Sequence, residues 1–174
     1  MNKIQIIVNN GAGTGSAVAV WKETKEYLQE NGISYNAYLT RYEKHAVKLA
    51  GQICGKIPEG PIYLLVVGGD GTINEVLNGI TDFDRVRLGV IPTGSGNDFA
   101  RNLGILRDTR EDLREITACI DQEQNGEKLQ RIDLGKVSWK GCEKPRIFGI
   151  SAGAGLDAIV CKKALHSKLK KILN

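Results

Sequence analysis

Cysteine is scarce: four occur in 174 residues, at positions 54, 119, 142 and 161, with no Cys-x-x-Cys pair. That spacing argues against a zinc or disulfide framework, and reduced thiols in the cytoplasm are expected. Aromatic residues make up 6% of the chain, so a core must come from Val, Ile and Leu. No apolar run approaches the roughly 18 residues a membrane span needs. A strand begins at Ile4 with no basic n-region or apolar h-region before it, so no signal peptide is expected. An excess of one charge is missing too. Twenty-four Lys and Arg against 20 Asp and Glu leave +4, too mild for a nucleic-acid binder.

Glycine, by contrast, is plentiful. The 21 glycines gather at expected turns, which points to backbone-mediated binding rather than disorder. Hydrophobic content of 41% can build a core, and the length suits one domain, or one and part of another. The densest turn is Gly68-Gly69-Asp70-Gly71-Thr72-Ile73-Asn74-Glu75. Ile62-Tyr63-Leu64-Leu65-Val66-Val67 before it reads as a buried parallel strand. Behind it, Ile73, Val76, Leu77 and Ile80 share one helix face. Thr72 and Glu75 stand in capping-box spacing, with Thr72 as N-cap. The three glycines allow positive φ and close approach. The helix N-terminus then aims its N–H groups over the turn, where a phosphate is the natural occupant. Asp70 fits beside a phosphate if it holds Mg²⁺; a tight βα turn with a locally used Asp is the plain alternative.

Along the chain, Ile4 to Val8 reads as a first strand running into Asn9-Asn10-Gly11-Ala12-Gly13-Thr14-Gly15-Ser16, which is neither a P-loop nor Gly-x-Gly-x-x-Gly. A helix from Ser16 to Asn31 should bury Val18, Trp21, the Lys25 stem and Leu28 and end at Gly32. Ile33 to Leu39 alternates, as near a sheet edge. Thr40 comes next, at the strand end where doubly wound sheets bind ligands. His45, between Lys44 and Lys48, reads as part of a solvated face. Val86 to Ile91 leads into another glycine turn, a helix start near Asn97 and a second acid, Asp98. Two carboxylates beside a polyphosphate call for a cation. Thr109 to Ile120 should be a helix with Leu113, Ile116 and Ile120 inward, capped by Thr109 with Asp112. Polar Gln122 to Glu127 marks a boundary, giving domains 1–126 and 127–174. Leu129 to Trp139 and Arg146 to Ile150 read as a hairpin. Gly153-Ala154-Gly155-Leu156-Asp157-Ala158 matches Gly-x-Gly-x-x-Ala only on paper, since no βαβ unit surrounds it. Lys162 to Lys171 carries five lysines; it reads as a solvated helix face or a basic helix touching anionic lipid.

Two of these stretches carry a resemblance. Gly68 to Glu75 with Val76-Leu77-Asn78-Gly79, and Pro92-Thr93-Gly94-Ser95-Gly96-Asn97-Asp98-Phe99-Ala100-Arg101, closely resemble the diacylglycerol kinase catalytic domain, a family that includes bacterial lipid kinases and sphingosine kinases. NAD kinases share the Gly-Gly-Asp-Gly-Thr core but not Asn-Asp-Phe-Ala-Arg. The first loop resembles Asn-Pro-x-x-Gly through Asn9 and Gly13, with Asn10 for the proline, and Ser95 stands where the family has threonine. The resemblance implies an α/β doubly wound, mainly parallel sheet followed by the start of a β-sandwich. It implies ATP as donor and a lipid hydroxyl as acceptor, in phospholipid metabolism. Asn9, Asn10, Gly11, Ala12, Gly13, Thr40, Gly69, Asp70, Gly71, Thr72, Ile73, Asn74, Glu75 and Ser95 would hold the nucleotide. Asp70 and Asp98 would arrange Mg²⁺, with Asp133 in Arg131-Ile132-Asp133-Leu134-Gly135 steadying that network. Gly153 to Ala158 resembles the family's second-domain Gly-x-Gly-x-Asp-Ala. A cytoplasmic location, contact with the inner membrane face and a homo-oligomer are compatible with it. The family's general base sits in an Asp-Gly-Glu segment. None occurs here, so the catalytic base is unassigned, and the chain is expected to stop within the second domain and to be inactive alone. A NAD-kinase-like metabolite kinase and a non-catalytic nucleotide-binding fragment remain the alternatives.

Overall fold

The structure is a computed structural model that describes residues 3–9, 11, 16–105 and 108–166. The Asn10, Ala12 and Gly13 expectations, and the basic stretch from 167 on, lie outside the described residues. Twelve elements are described: β1 (Ile4–Val8), α1 (Ser16–Glu30), β2 (Tyr35–Leu39), α2 (His45–Lys56), β3 (Ile62–Gly68), α3 (Asp70–Leu77), β4 (Val86–Pro92), α4 (Asp98–Asn102), α5 (Thr109–Gln124), β5 (Gly135–Val137), β6 (Arg146–Phe148) and α6 (Leu156–His166).

The first four strands form one parallel sheet in the order β2-β1-β3-β4. Every residue of β1 and β3 is buried, as expected of central strands covered on both faces. Alternate side chains of β3 feed opposite cores. Ile62, Leu64 and Val66 meet Leu49, Ile53, Ile73, Val76 and Phe99 of α2, α3 and α4. Tyr63, Leu65 and Val67 meet Trp21, Leu28, Leu113 and Ile120 of α1 and α5. β2 is an edge strand, as its alternation implied, though it begins at Tyr35 rather than Ile33.

Three local readings are corrected. The stripe of α1 is Ala17, Trp21, Thr24 and Leu28, while Val18 is 55% exposed. Thr24 tolerates burial because its hydroxyl donates to the Val20 carbonyl at 2.8 Å. Asp108, not Thr109, caps α5, its carboxylate accepting from the N–H groups of Arg110 and Glu111 at 2.9 Å each. Thr72 caps nothing: α3 begins at Asp70, with Gly69 as N-cap. The hairpin exists but is short, three residues a strand, with Lys136 opposite Ile147. α6 leaves Leu156, Ile159 and Val160 exposed, so it begins without the basic stripe read from Lys162 on. No helix among the described residues is long and apolar enough to cross a membrane.

Candidate active site

The chain leaves β1 toward β2 on one side and then returns to place β3 on the other. The switch point therefore lies between the carboxyl ends of β1 and β3, where such sheets form a crevice. Asn9 sits there. Its N–H donates to the Val67 carbonyl at 2.9 Å. Its side-chain amide donates to the Thr72 hydroxyl at 2.8 Å and accepts from the Gly11 N–H at 3.1 Å. The Thr40 N–H donates to the Val8 carbonyl at 2.8 Å, so Thr40 stands beside the first loop.

The two glycine turns touch. A Cβ on Gly69 would lie 3.0 Å from the Gly94 Cα, and one on Gly94 would lie 2.9 Å from the Gly69 Cα. Neither Gly68, Gly69 nor Gly71 has positive φ, so the expected conformational reason for these glycines is replaced by a packing one at the first two. Gly68 is tight against Thr72. Asn97, at φ 54, holds the second turn by accepting from the Gly94 N–H and donating to the Gly94 carbonyl, at 2.9 and 2.7 Å. Gly71 differs: it is exposed at the start of α3, and nothing lies within 4 Å of a Cβ placed there. Ser95 is also exposed, in the facing turn.

Asp70 reaches across to α4. Its two carboxylate oxygens accept from the N–H groups of Asp98 and Phe99 at 3.0 Å each. Asp98 pairs with Arg101 at 2.9 Å, and Arg101 also donates to the Gly96 carbonyl at 3.0 Å. A Cβ on Gly96 would lie 3.2 Å from Asp70 Oδ2 and 3.9 Å from Asp98 Oδ2, so the two carboxylates flank one glycine. Both line a cavity of about 320 Å³ with Ile73, Leu77, Phe99 and Phe148. Hard carboxylate oxygens of this kind suit Mg²⁺, which commonly takes one or two protein carboxylates and fills its shell with phosphate and water. Asp133 is exposed ahead of β5 and does not line the cavity. Among the described residues no three His, Cys, Asp or Glu side chains gather as a metal cluster.

Glu75 turns to a different helix. Its carboxylate accepts from the N–H groups of Lys44 and Ala46 at 2.9 and 3.2 Å, capping α2 rather than its own helix. That bond holds Lys44 at φ 65. His45 accepts from the Arg41 N–H and stacks on Tyr42 with centroids 4.4 Å apart, a local role. Ile73 is core and Asn74 half-buried, and both line the cavity. Three residues had no role assigned from sequence: Asn97, which clamps its turn; Thr93, buried with an unpaired hydroxyl; and Asn78. The Asn78 amide donates to the Ile147 carbonyl at 2.8 Å and accepts from the Ile147 N–H at 3.0 Å.

Comparison with known proteins gives a consistent set of similarities. The model of the diacylglycerol kinase catalytic domain matches residues 3–137. A Bacillus subtilis (strain 168) protein named "Putative lipid kinase YtlR" is 32% identical over 169 residues, 95% of this chain and 52% of that protein. A diacylglycerol kinase of the same organism is 41% identical over 134 residues, 74% of this chain and 40% of that one. A crystal structure of a diacylglycerol kinase from Bacillus anthracis (strain Sterne) aligns with TM-score 0.56 at 29% identity, covering 67% of this chain and 39% of that one. The chain spans about half the length of the first of these relatives, and less of the others.

Proposed function

The chain belongs to the diacylglycerol kinase catalytic-domain family, and from that premise we propose that it carries the nucleotide half of an ATP-dependent lipid kinase. The γ-phosphoryl of ATP goes to a lipid hydroxyl of the diacylglycerol class. Residues 1–126 are the nucleotide domain and 127–174 the start of a second one.

The observation that carries this reading is Gly71. Glycine inside a helix costs about 0.5–1 kcal/mol relative to Ala, and neither φ nor packing calls for it here. The open space over it does: a phosphate can settle on the N–H groups at the start of α3. Asn9 and Thr40 stand at the neighbouring strand ends, and Ser95 is exposed in the second glycine turn. Asp70 and Asp98 would hold Mg²⁺, which would supply charge neutralisation beside the phosphates. The chain's own contribution is positioning: the Gly69–Gly94 contact and the Asp70–α4 bonds fix one turn against the other. The apolar residues beyond the acids suit an acceptor with a greasy body and one hydroxyl.

Isothermal calorimetry with Mg·ATP tests the nucleotide part, and absence of binding overturns it. A radiolabelled-ATP assay over mixed lipids tests the rest. The sequence offers no Asp-Gly-Glu base, and such a base typically contributes about 10²–10⁴-fold. The 174-residue chain should therefore bind nucleotide and transfer phosphoryl slowly.

A further inference from the structure

Asn78 makes an unusual pair of bonds. It ends α3, yet its side chain behaves as the backbone of a neighbouring strand would. The amide nitrogen donates to the Ile147 carbonyl and the amide oxygen accepts from the Ile147 N–H, 69 residues away in sequence. In an antiparallel pair alternate residues turn both polar groups to the partner. Ile147, the middle residue of β6, therefore faces away from β5, and Asn78 fills the position of a third strand there. The same amide nitrogen also donates to the Asn74 carbonyl at 2.8 Å, which fixes its orientation.

Immediately after Ile147 the chain forms one wall of the cavity that holds Asp70 and Asp98. Phe148, Gly149, Ile150 and Ser151 all line it. Gly149 lies so close to α3 and α4 that a Cβ there would come within 2.7 Å of the Phe99 ring and 3.1 Å of Leu77. The width of the cavity therefore depends on where β6 is pinned along α3.

We propose that Asn78 is a positioning residue that latches the β5–β6 hairpin onto the end of α3 and so sets the acceptor wall of the cavity, which Asp70 and Gly71 line from the other element. This rests on the reading of the cavity as the acceptor site. The acceptor it fits is an amphipathic alcohol, with its hydroxyl toward the two carboxylates and its apolar part on Phe99 and Phe148.

The test uses the 174-residue chain and two variants, Asn78→Ala and Asn78→Asp. Asn78→Asp keeps the acceptor for the Ile147 N–H and loses both donations, so it stays informative if the alanine variant folds poorly. Amide hydrogen exchange should accelerate at Ile147 by about tenfold or more in Asn78→Ala, as expected for losing both bonds. The acceleration should be smaller in Asn78→Asp, and the amides of β1 and β3 should not change. Mg·ADP affinity should stay within about twofold. Binding of dioctanoylglycerol, measured by titration, should fall about tenfold. Unchanged exchange at Ile147 overturns the latch. Released exchange with unchanged dioctanoylglycerol affinity overturns the link to the acceptor wall. A parent chain that binds Mg·ADP but no dioctanoylglycerol overturns the acceptor assignment and leaves the nucleotide reading standing. The reverse pattern overturns the nucleotide reading alone.

Discussion

Replacing Gly71 by alanine should push stability and ligand affinity in opposite directions. The residue sits in the first turn of α3 with helical backbone, and the added methyl meets nothing within 4 Å. Alanine removes backbone freedom from the unfolded chain and suits the helix, a gain of about 0.4–1 kcal/mol. In a chain of this length that raises the melting temperature by about 1–4 °C, at ~2–4 °C per kcal/mol. On the proposed reading, the same methyl enters the open space that a phosphate oxygen would occupy. Excluding it should weaken Mg·ADP at least tenfold, or about 1.4 kcal/mol. Urea unfolding without ligand measures the first effect and calorimetry the second. Gly69→Val is a poorer probe, since its side chain would strike the Gly94 backbone and disturb folding and binding together. A Gly71→Ala chain that is more stable and binds Mg·ADP as the parent does refutes the placement of phosphate over α3.

Asp70→Asn should weaken Mg²⁺-dependent nucleotide binding more than Mg²⁺-free binding, because a neutral amide is a poor partner for a dication; equal losses in calorimetry would make Asp70 purely the anchor of α4. Thr93→Val should stabilise the chain by about 1 kcal/mol in urea unfolding, since the buried hydroxyl is desolvated without a partner; destabilisation would mean that the hydroxyl is bonded. Burial, then the hydrogen bond with Glu123, raises the Tyr63 phenol above its ordinary 10.0. A raised folded value means that this contribution is fully present below pH about 10 and lost as pH climbs through the folded value. The stability difference between the parent and Tyr63→Phe should therefore be flat at neutral pH and shrink in strong alkali.

The central sheet was legible because β1 and β3 are apolar on both faces, and a solid run such as Ile62 to Val67 leaves few other readings. The glycine turns were legible as turns. Their chemistry was harder to assign, because an acid near a helix start can cap its own helix, cap another, or hold a cation. Capping-box spacing favoured the first for Glu75, and the fold uses the second. Asp70 caps α4, and the third role is proposed for it. The Asn78 partner is a backbone 69 residues away, and no local pattern encodes such a pairing. Val18 was misplaced for a simpler reason: hydrophobicity outranked phase, while Ala17 and Thr24 carried the true stripe.

Asp70, Glu75 and Asn78 lie on or at the end of one eight-residue helix, and each grips the backbone of a different element: α4, α2 and β6. This has a consequence for engineering. The octapeptide is not a portable phosphate grip. Moved into another α/β scaffold, it would bring along two carboxylates that need specific N–H groups to meet them. Without those, the graft would place unpaired polar groups under the new sheet's helices, at about 1–3 kcal/mol for each one buried. A successful transplant would have to carry the start of α2 and the Gly94–Phe99 turn with it, so the smallest transferable unit is set by hydrogen-bond reach rather than by the length of the motif.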